Sequence, residues 1–131
     1  MDDRNQQPTL SPKEARAQIP EKFLCTRRGR GRAPADQGFA YRFWQILNWV
    51  GKDKMRALNT GCGWVDDENF WIDKPRFAAV TNTKSNTLNY QLRQCKFSRS
   101  DKRTQDRSLW RCDGFTTHST EQALFAIDLR R

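Results

Sequence analysis

The segment FAYRFWQILNWV, residues 39–50, sets Phe39, Phe43, Ile46, Leu47 and Val50 at intervals of four, three, one and three. Only a helix gathers positions so spaced on one side, because successive residues turn by about 100°. The spacing therefore predicts an amphipathic helix, with Trp44 and Trp49 widening its buried face, Gly51 ending it and Asp36 as its candidate cap. A face that wide must be covered, so the remaining chain has to build a core around it. At 131 residues, 36% hydrophobic and 30% charged, the chain supports one domain with a single modest core. No apolar run approaches the roughly 20 residues of a membrane span and the N-terminus lacks a secretory apolar stretch, so a soluble, intracellular protein without membrane association is expected.

Local signals place further elements around that helix. SPKEARAQI starts with Ser11 as N-cap, Pro12 at the first helical position and Glu14 three residues after the cap, which predicts a short helix over 12–19 closed by Pro20. Phe23 and Leu24 are expected to anchor the following segment to the body, whereas residues 1–10 are polar enough to be mobile. KDKMRALNTG adds one or two helical turns before Gly61 and Gly63. The β-type runs 64–65 and 70–72 flank Asp66, Asp67, Glu68 and Asn69, a hairpin with a solvated turn. Asp73, then KPRFAAV, reads as a cap, a proline in the first turn and a short helix facing Phe77 and Val80 inward. The tail HSTEQALFAIDLRR predicts a last helix capped by Ser119 or Thr120 that turns Leu124 and Ile127 inward, with Phe125 a further candidate; residues 115–131 could instead begin a linker.

The net charge of +9 is unevenly spread. Residues 27–33 carry +4 through Arg27, Arg28, Arg30 and Arg32, and residues 76–114 carry +6, while the other segments are close to neutral. Charge segregated in this way creates a directional field that attracts and orients a polyanion, which points to nucleic acid. The glycine-interrupted string over 27–34 has no fixed shape, so it can follow phosphates or enter a narrow minor groove; a nuclear-import signal is a second use of the same residues. Four cysteines at 25, 62, 95 and 112 have no metal-ligand spacing and read as reduced thiols, Cys95 and Cys112 as small core hydrophobes. With one histidine and no glycine-rich phosphate loop, neither a catalytic centre, nor a metal site, nor a cofactor is expected.

The informative segment is TNTKSNTLNYQLRQCKF. Leu88, Leu92 and Cys95 form a narrow apolar stripe near 0°, about 40° and about 340°, and Arg93, Asn86 and Tyr90 fall on the opposite side at about 140°, 160° and 200°. Ser85 or Thr83 is the expected cap. The outer face, with Asn89 and Gln94 at its flanks, holds amides and a guanidinium of the kinds that pair with base edges, and no carboxylate. An ordinary exposed helix would mix Glu with Lys there. KFSRSDKRTQDRSLWRC follows, with strand-like ends at 96–99 and 109–112 enclosing a loop that carries Lys102, Arg103 and Arg107, and Arg99 at the base of the hairpin. Short helix, turn, polar-faced helix and cationic hairpin is the order of a winged helix-turn-helix. The fold class expected is thus α+β, mainly helical, with a small antiparallel sheet and a basic wing.

The run NTLNYQLRQCKF, the basic hairpin and LWRC resemble the reading helix and wing of heat-shock-factor-like and ETS-like winged helices. Nearly the whole chain, including RRGRGRAP, FWQILNWV and GCGWVDDENFWIDKPRF, is similar to the initiator-binding domains of trichomonad initiator-binding proteins. The resemblance implies a nuclear domain that reads double-stranded DNA at the core-promoter initiator, as a monomer, with a separate C-terminal domain contacting RNA polymerase II. It implies base reading by the helix bearing Lys84, Asn86, Asn89, Tyr90 and Arg93, with support from the Arg27, Arg28, Arg30, Arg32 string and from the wing residues Arg99, Lys102, Arg103 and Arg107. Two other readings stay open from the residues alone: an RNA-binding module, because arginine-glycine strings also contact RNA, and a protein-interaction winged helix with incidental charge.

Overall fold

The computed structural model describes residues 8–24, 38–104 and 107–129. Helix α1 (Pro12–Gln18) carries the expected capping box: Ser11 Oγ accepts the Glu14 N–H at 3.2 Å, and Glu14 Oε1 accepts the Ser11 N–H at 3.0 Å. Hydrogen bonding to Ser11 holds the Glu14 carboxyl below the usual carboxylate range. A 3₁₀ turn (Glu21–Phe23) buries Leu24 beneath it. Next come α2 (Phe39–Val50) and α3 (Lys54–Thr60), then strands β1 (Cys62–Trp64) and β2 (Phe70–Ile72). Helices α4 (Lys74–Val80) and α5 (Ser85–Gln94) precede β3 (Ser98–Thr104) and β4 (Arg107–Arg111), and α6 (Glu121–Leu129) closes the order. The four strands form one antiparallel sheet ordered β1-β2-β4-β3. Helices outweigh the small sheet, and the wing hairpin pairs with β2 through Phe70 opposite Trp110 and Trp71 opposite Leu109, which is the winged helix-turn-helix expected from the sequence.

The core forms where the α2 stripe meets everything else. Phe43 stacks on Phe39 at 5.5 Å and on Phe115 at 5.8 Å, and takes edge-on contacts from Phe70 of β2 at 5.1 Å and Phe77 of α4 at 5.3 Å. Phe97, which follows α5, lies 6.1 Å away and packs on Phe115 at 4.8 Å. All six rings are buried, and edge-to-face and offset pairs at these separations add to the apolar burial.

The N-terminus of α2 is capped differently from the expectation. Gly38, not Asp36, is the N-cap residue and offers no side chain; Asp36 lies outside the described residues. The free donors are taken by Asp128 of α6, whose buried carboxylate accepts the N–H groups of Ala40 at 2.8 Å and Tyr41 at 3.3 Å. A Cβ at position 38 would overlap that carboxylate, so glycine is required by the close approach. The polar cap also pins α6 against α2, with Leu124 and Ile127 fully buried and Phe125 against Tyr41 at 5.0 Å. Thr120 caps α6 by accepting the Ala123 N–H at 3.1 Å.

Three smaller pieces fix the scaffold. Asn59 Oδ1 accepts the N–H groups of Thr9 and Leu10 at 2.8 and 3.1 Å, while Arg76 donates to the carbonyls of Leu10 at 2.6 Å and Asn59 at 2.9 Å; together they tie residues 9 and 10 to α3 and α4. In the turn between β1 and β2, Asp66 Oδ1 accepts the N–H groups of Glu68 and Asn69, both at 2.8 Å. Helix α5 ends in a Schellman motif: Phe97 N–H reaches the Leu92 carbonyl at 2.9 Å, Lys96 N–H reaches Arg93 at 3.0 Å, and Lys96 adopts φ 65°.

These contacts give two predictions. Phe43→Ala should lower unfolding stability by about 3–5 kcal/mol through the cavity it leaves, and Asp128→Ala by roughly 2–3 kcal/mol through the orphaned N–H groups, both read as shifted urea midpoints with an unchanged slope. Lys96→Gly should raise stability by about 1 kcal/mol, because glycine occupies the left-handed region without the Cβ penalty; a lowered midpoint would contradict the motif.

Candidate nucleic-acid interface

The helix-turn-helix is built by α4 and α5. Asp73 caps α4 by accepting the Arg76 N–H at 3.3 Å, and Pro75 sits in the first turn. Asn82 at φ 56° reverses the chain, with Thr83 N–H closing onto the Ala78 carbonyl at 2.8 Å; asparagine tolerates this region better than most residues. The N-cap of α5 is Lys84 and makes no side-chain cap bond, so the expected caps Ser85 and Thr83 are not used. Thr83 instead accepts a hydrogen bond from the Thr81 hydroxyl at 3.1 Å within the turn.

The burial of α5 follows its predicted periodicity. Leu88 and Leu92 are 1% and 2% exposed, and Cys95 beyond them is fully buried. Lys84, Asn86, Asn89, Tyr90 and Arg93 are all exposed, Tyr90 to 54%. A phenol that far into solvent on a packed domain contributes little to the core, so its place on the polar face is consistent with a contact surface. No Asp or Glu lies in α5, and the face offers amide, hydroxyl, ammonium and guanidinium groups only.

The wing is longer than the sequence pattern suggested. Lys102 and Arg103 belong to β3 and Arg107 opens β4, so these residues extend a ribbon instead of sitting in a loop between shorter strands. Arg103 pairs in register with Ser108 and Thr104 with Arg107. β propensity was understated because basic residues are poor strand formers on average, while pairing at both ends of the hairpin, with a register shift between Arg99 and Arg103, supplies backbone bonds that propensity does not. Arg99, at the base of β3, is exposed. Arg27, Arg28, Arg30 and Arg32 lie outside the described residues.

Between α5 and the sheet lies a cleft of about 520 Å³ lined by Lys74, Asn86, Asn89, Arg93, Phe97 and Trp110. Two cations share the indole of Trp110: the Lys74 ammonium lies 4.8 Å from the ring centroid and the Arg99 guanidinium carbon 5.8 Å. Partial burial, and secondarily the nearby Arg99 charge, lower the proton affinity of Lys74. Lys74 and Trp110 were not legible as site residues: Lys74 read as the first residue of a short helix and Trp110 as a strand end. Their meeting depends on β4 pairing with β2 beside α4, a non-local register.

Among the described residues no group of three His, Cys, Asp or Glu side chains is placed to hold a metal ion, and no helix is long and apolar enough to cross a membrane. Cys62, Cys95 and Cys112 are buried, and burial pushes the Cys62 thiol far up.

Comparison with known proteins agrees with this geometry. The solved initiator-binding domain of T. vaginalis IBP39, in a crystal structure bound to the alpha-SCS Inr element, superposes with a TM-score of 0.64 at 23% identity, over 84% of this chain and all of that one. That likeness establishes the shared fold. No curated protein gives a significant match. The family model of the transcription-initiator DNA-binding domain matches residues 11–119, a span that takes in the capping box, the Phe43 core, the helix-turn-helix and the whole wing, and the chain therefore belongs to the transcription-initiator DNA-binding domain family.

Proposed function

We propose that residues 1–131 act as one winged-helix unit that binds double-stranded DNA at a core-promoter initiator and positions transcription start. Membership of a transcription-initiator DNA-binding family supports the target, and the role is that of a DNA-binding module, not an enzyme. The observation that carries the mechanism is the carboxylate-free outer face of α5, exposed beside a basic ribbon.

In this reading α5 enters the major groove, whose width admits a helix and whose base edges present distinct donor and acceptor patterns. Asn86 and Asn89 offer paired amide groups suited to adenine, Arg93 a fork suited to guanine, and Tyr90 an apolar ring with a polar tip. Lys84, at the start of the helix, faces the phosphates. Arg99, Lys102, Arg103 and Arg107 run along the backbone, and Arg27, Arg28, Arg30 and Arg32 follow phosphates or enter the minor groove. Affinity then arises mainly from counterion release and discrimination from α5. Nuclear residence, action as a monomer and contact with RNA polymerase II through a further domain complete the proposal.

Selection of bound duplexes from a random pool tests it directly: a start-site-like consensus should emerge and RNA should compete poorly, whereas equal retention of all sequences would refute base reading. Arg93→Ala or Asn86→Ala should cost about 1–3 kcal/mol on the selected duplex and flatten preference among duplexes. Arg103→Ala should weaken selected and random duplexes equally and reduce the slope of log K against log salt by about 0.9; a loss confined to the selected duplex would instead assign Arg103 to base reading.

A further inference from the structure

The cleft beside α5 holds an arrangement that base reading does not require. Lys74 comes from α4, Arg99 from β3, and the Trp110 indole from β4 lies under both, at 4.8 and 5.8 Å from ring centroid to cation. Trp110 is 9% exposed, so the ring is a fixed floor. Two like charges held on one neutral ring repel each other, and the lowered proton affinity of Lys74 registers both its partial burial and that repulsion. The nearest acid in sequence, Asp73, already accepts the Arg76 N–H. The side chains lining the cleft include two cations, Lys74 and Arg93, and two amides, Asn86 and Asn89, but no carboxylate, and Arg99 adds a third cation over the Trp110 ring.

We propose that Lys74, Arg99 and Trp110 form a clamp for one backbone phosphate of the strand read by α5, with Lys74 as a DNA-binding residue outside both the reading helix and the wing. An anionic group placed between the two cations would convert their repulsion into two attractions, and the non-bridging oxygens of a phosphodiester allow one contact to each. The cleft is continuous with Asn86 and Asn89, so the occupant is the DNA itself and not a separate small anion. The clamp would fix the depth and register of α5, since phosphate contacts position a reading element while base contacts discriminate. It rests on the duplex-binding reading above.

The test is a walk of single methylphosphonates along the selected duplex, with affinities measured for the wild-type chain, Lys74→Gln and Lys74→Arg. One position should cost the wild type on the order of tenfold and Lys74→Gln several-fold less, through the remaining Arg99 contact, Lys74→Arg should behave as wild type, and Lys74→Gln should lower the salt slope by about 0.9 on selected and random duplexes alike. The clamp is overturned if Lys74→Gln keeps the wild-type slope, or if every methylphosphonate costs it what it costs the wild type. If the coupling to one phosphate persists while the wild type shows no sequence preference, base reading by α5 fails and the clamp stands; if preference persists without coupling, the reverse holds. Urea midpoints of both variants exclude a loss caused by unfolding.

Discussion

The Phe43 ring is the point through which the domain is assembled. It sits on the first helix of the core and touches rings from β2, from α4 and from the segment after β4, with the residue that follows α5 close by. Close-packed aromatic contacts of this kind have a direction as well as a strength, so they fix angles between elements. Helix α5 is therefore aimed from two sides. Leu88 and Leu92 bury its inner face, and Phe97 draws the chain back into the ring cluster immediately after its last turn. The polar face points outward because the core leaves it no alternative.

Aiming the helix also sets the wing. The Schellman motif at the end of α5 places Lys96 in the left-handed region, so the polypeptide reverses within three residues and enters β3 directly. A side-chain-bearing residue at such a position costs stability that glycine would not. What the chain gains is a cation at the junction between the element that carries amides and the element that carries guanidinium groups. The amide-bearing and guanidinium-bearing elements are thus separated in sequence yet joined in space, which fits the proposed division between electrostatic affinity and short-range discrimination.

The legible and illegible parts of this molecule divide along the distance between partners in the chain. The stripe of α2, the capping box of α1, the cap and proline of α4 and the two faces of α5 depend on neighbours within four residues, and each is present where the spacing put it. The cap of α2 was not legible, because its acceptor is Asp128, 88 residues away. The length of the wing strands was underestimated since basic residues mask strand character that backbone pairing supplies. The cleft formed by Lys74 and Trp110 escaped notice for a related reason: only the pairing of β2 with β4 brings them together. Family resemblance carried the remaining step, from a winged helix that binds nucleic acid to one that belongs with transcription initiators.

The Asp128 carboxylate closes one corner of the domain around the backbone of Ala40 and Tyr41. The chain rejoins the described fold at that corner, at Gly38, and the last helix is fastened to the same spot. Tension or a bound protein acting on α6 would therefore be felt first at the start of α2. A single acidic side chain makes the start of α2 and the last helix mechanical neighbours.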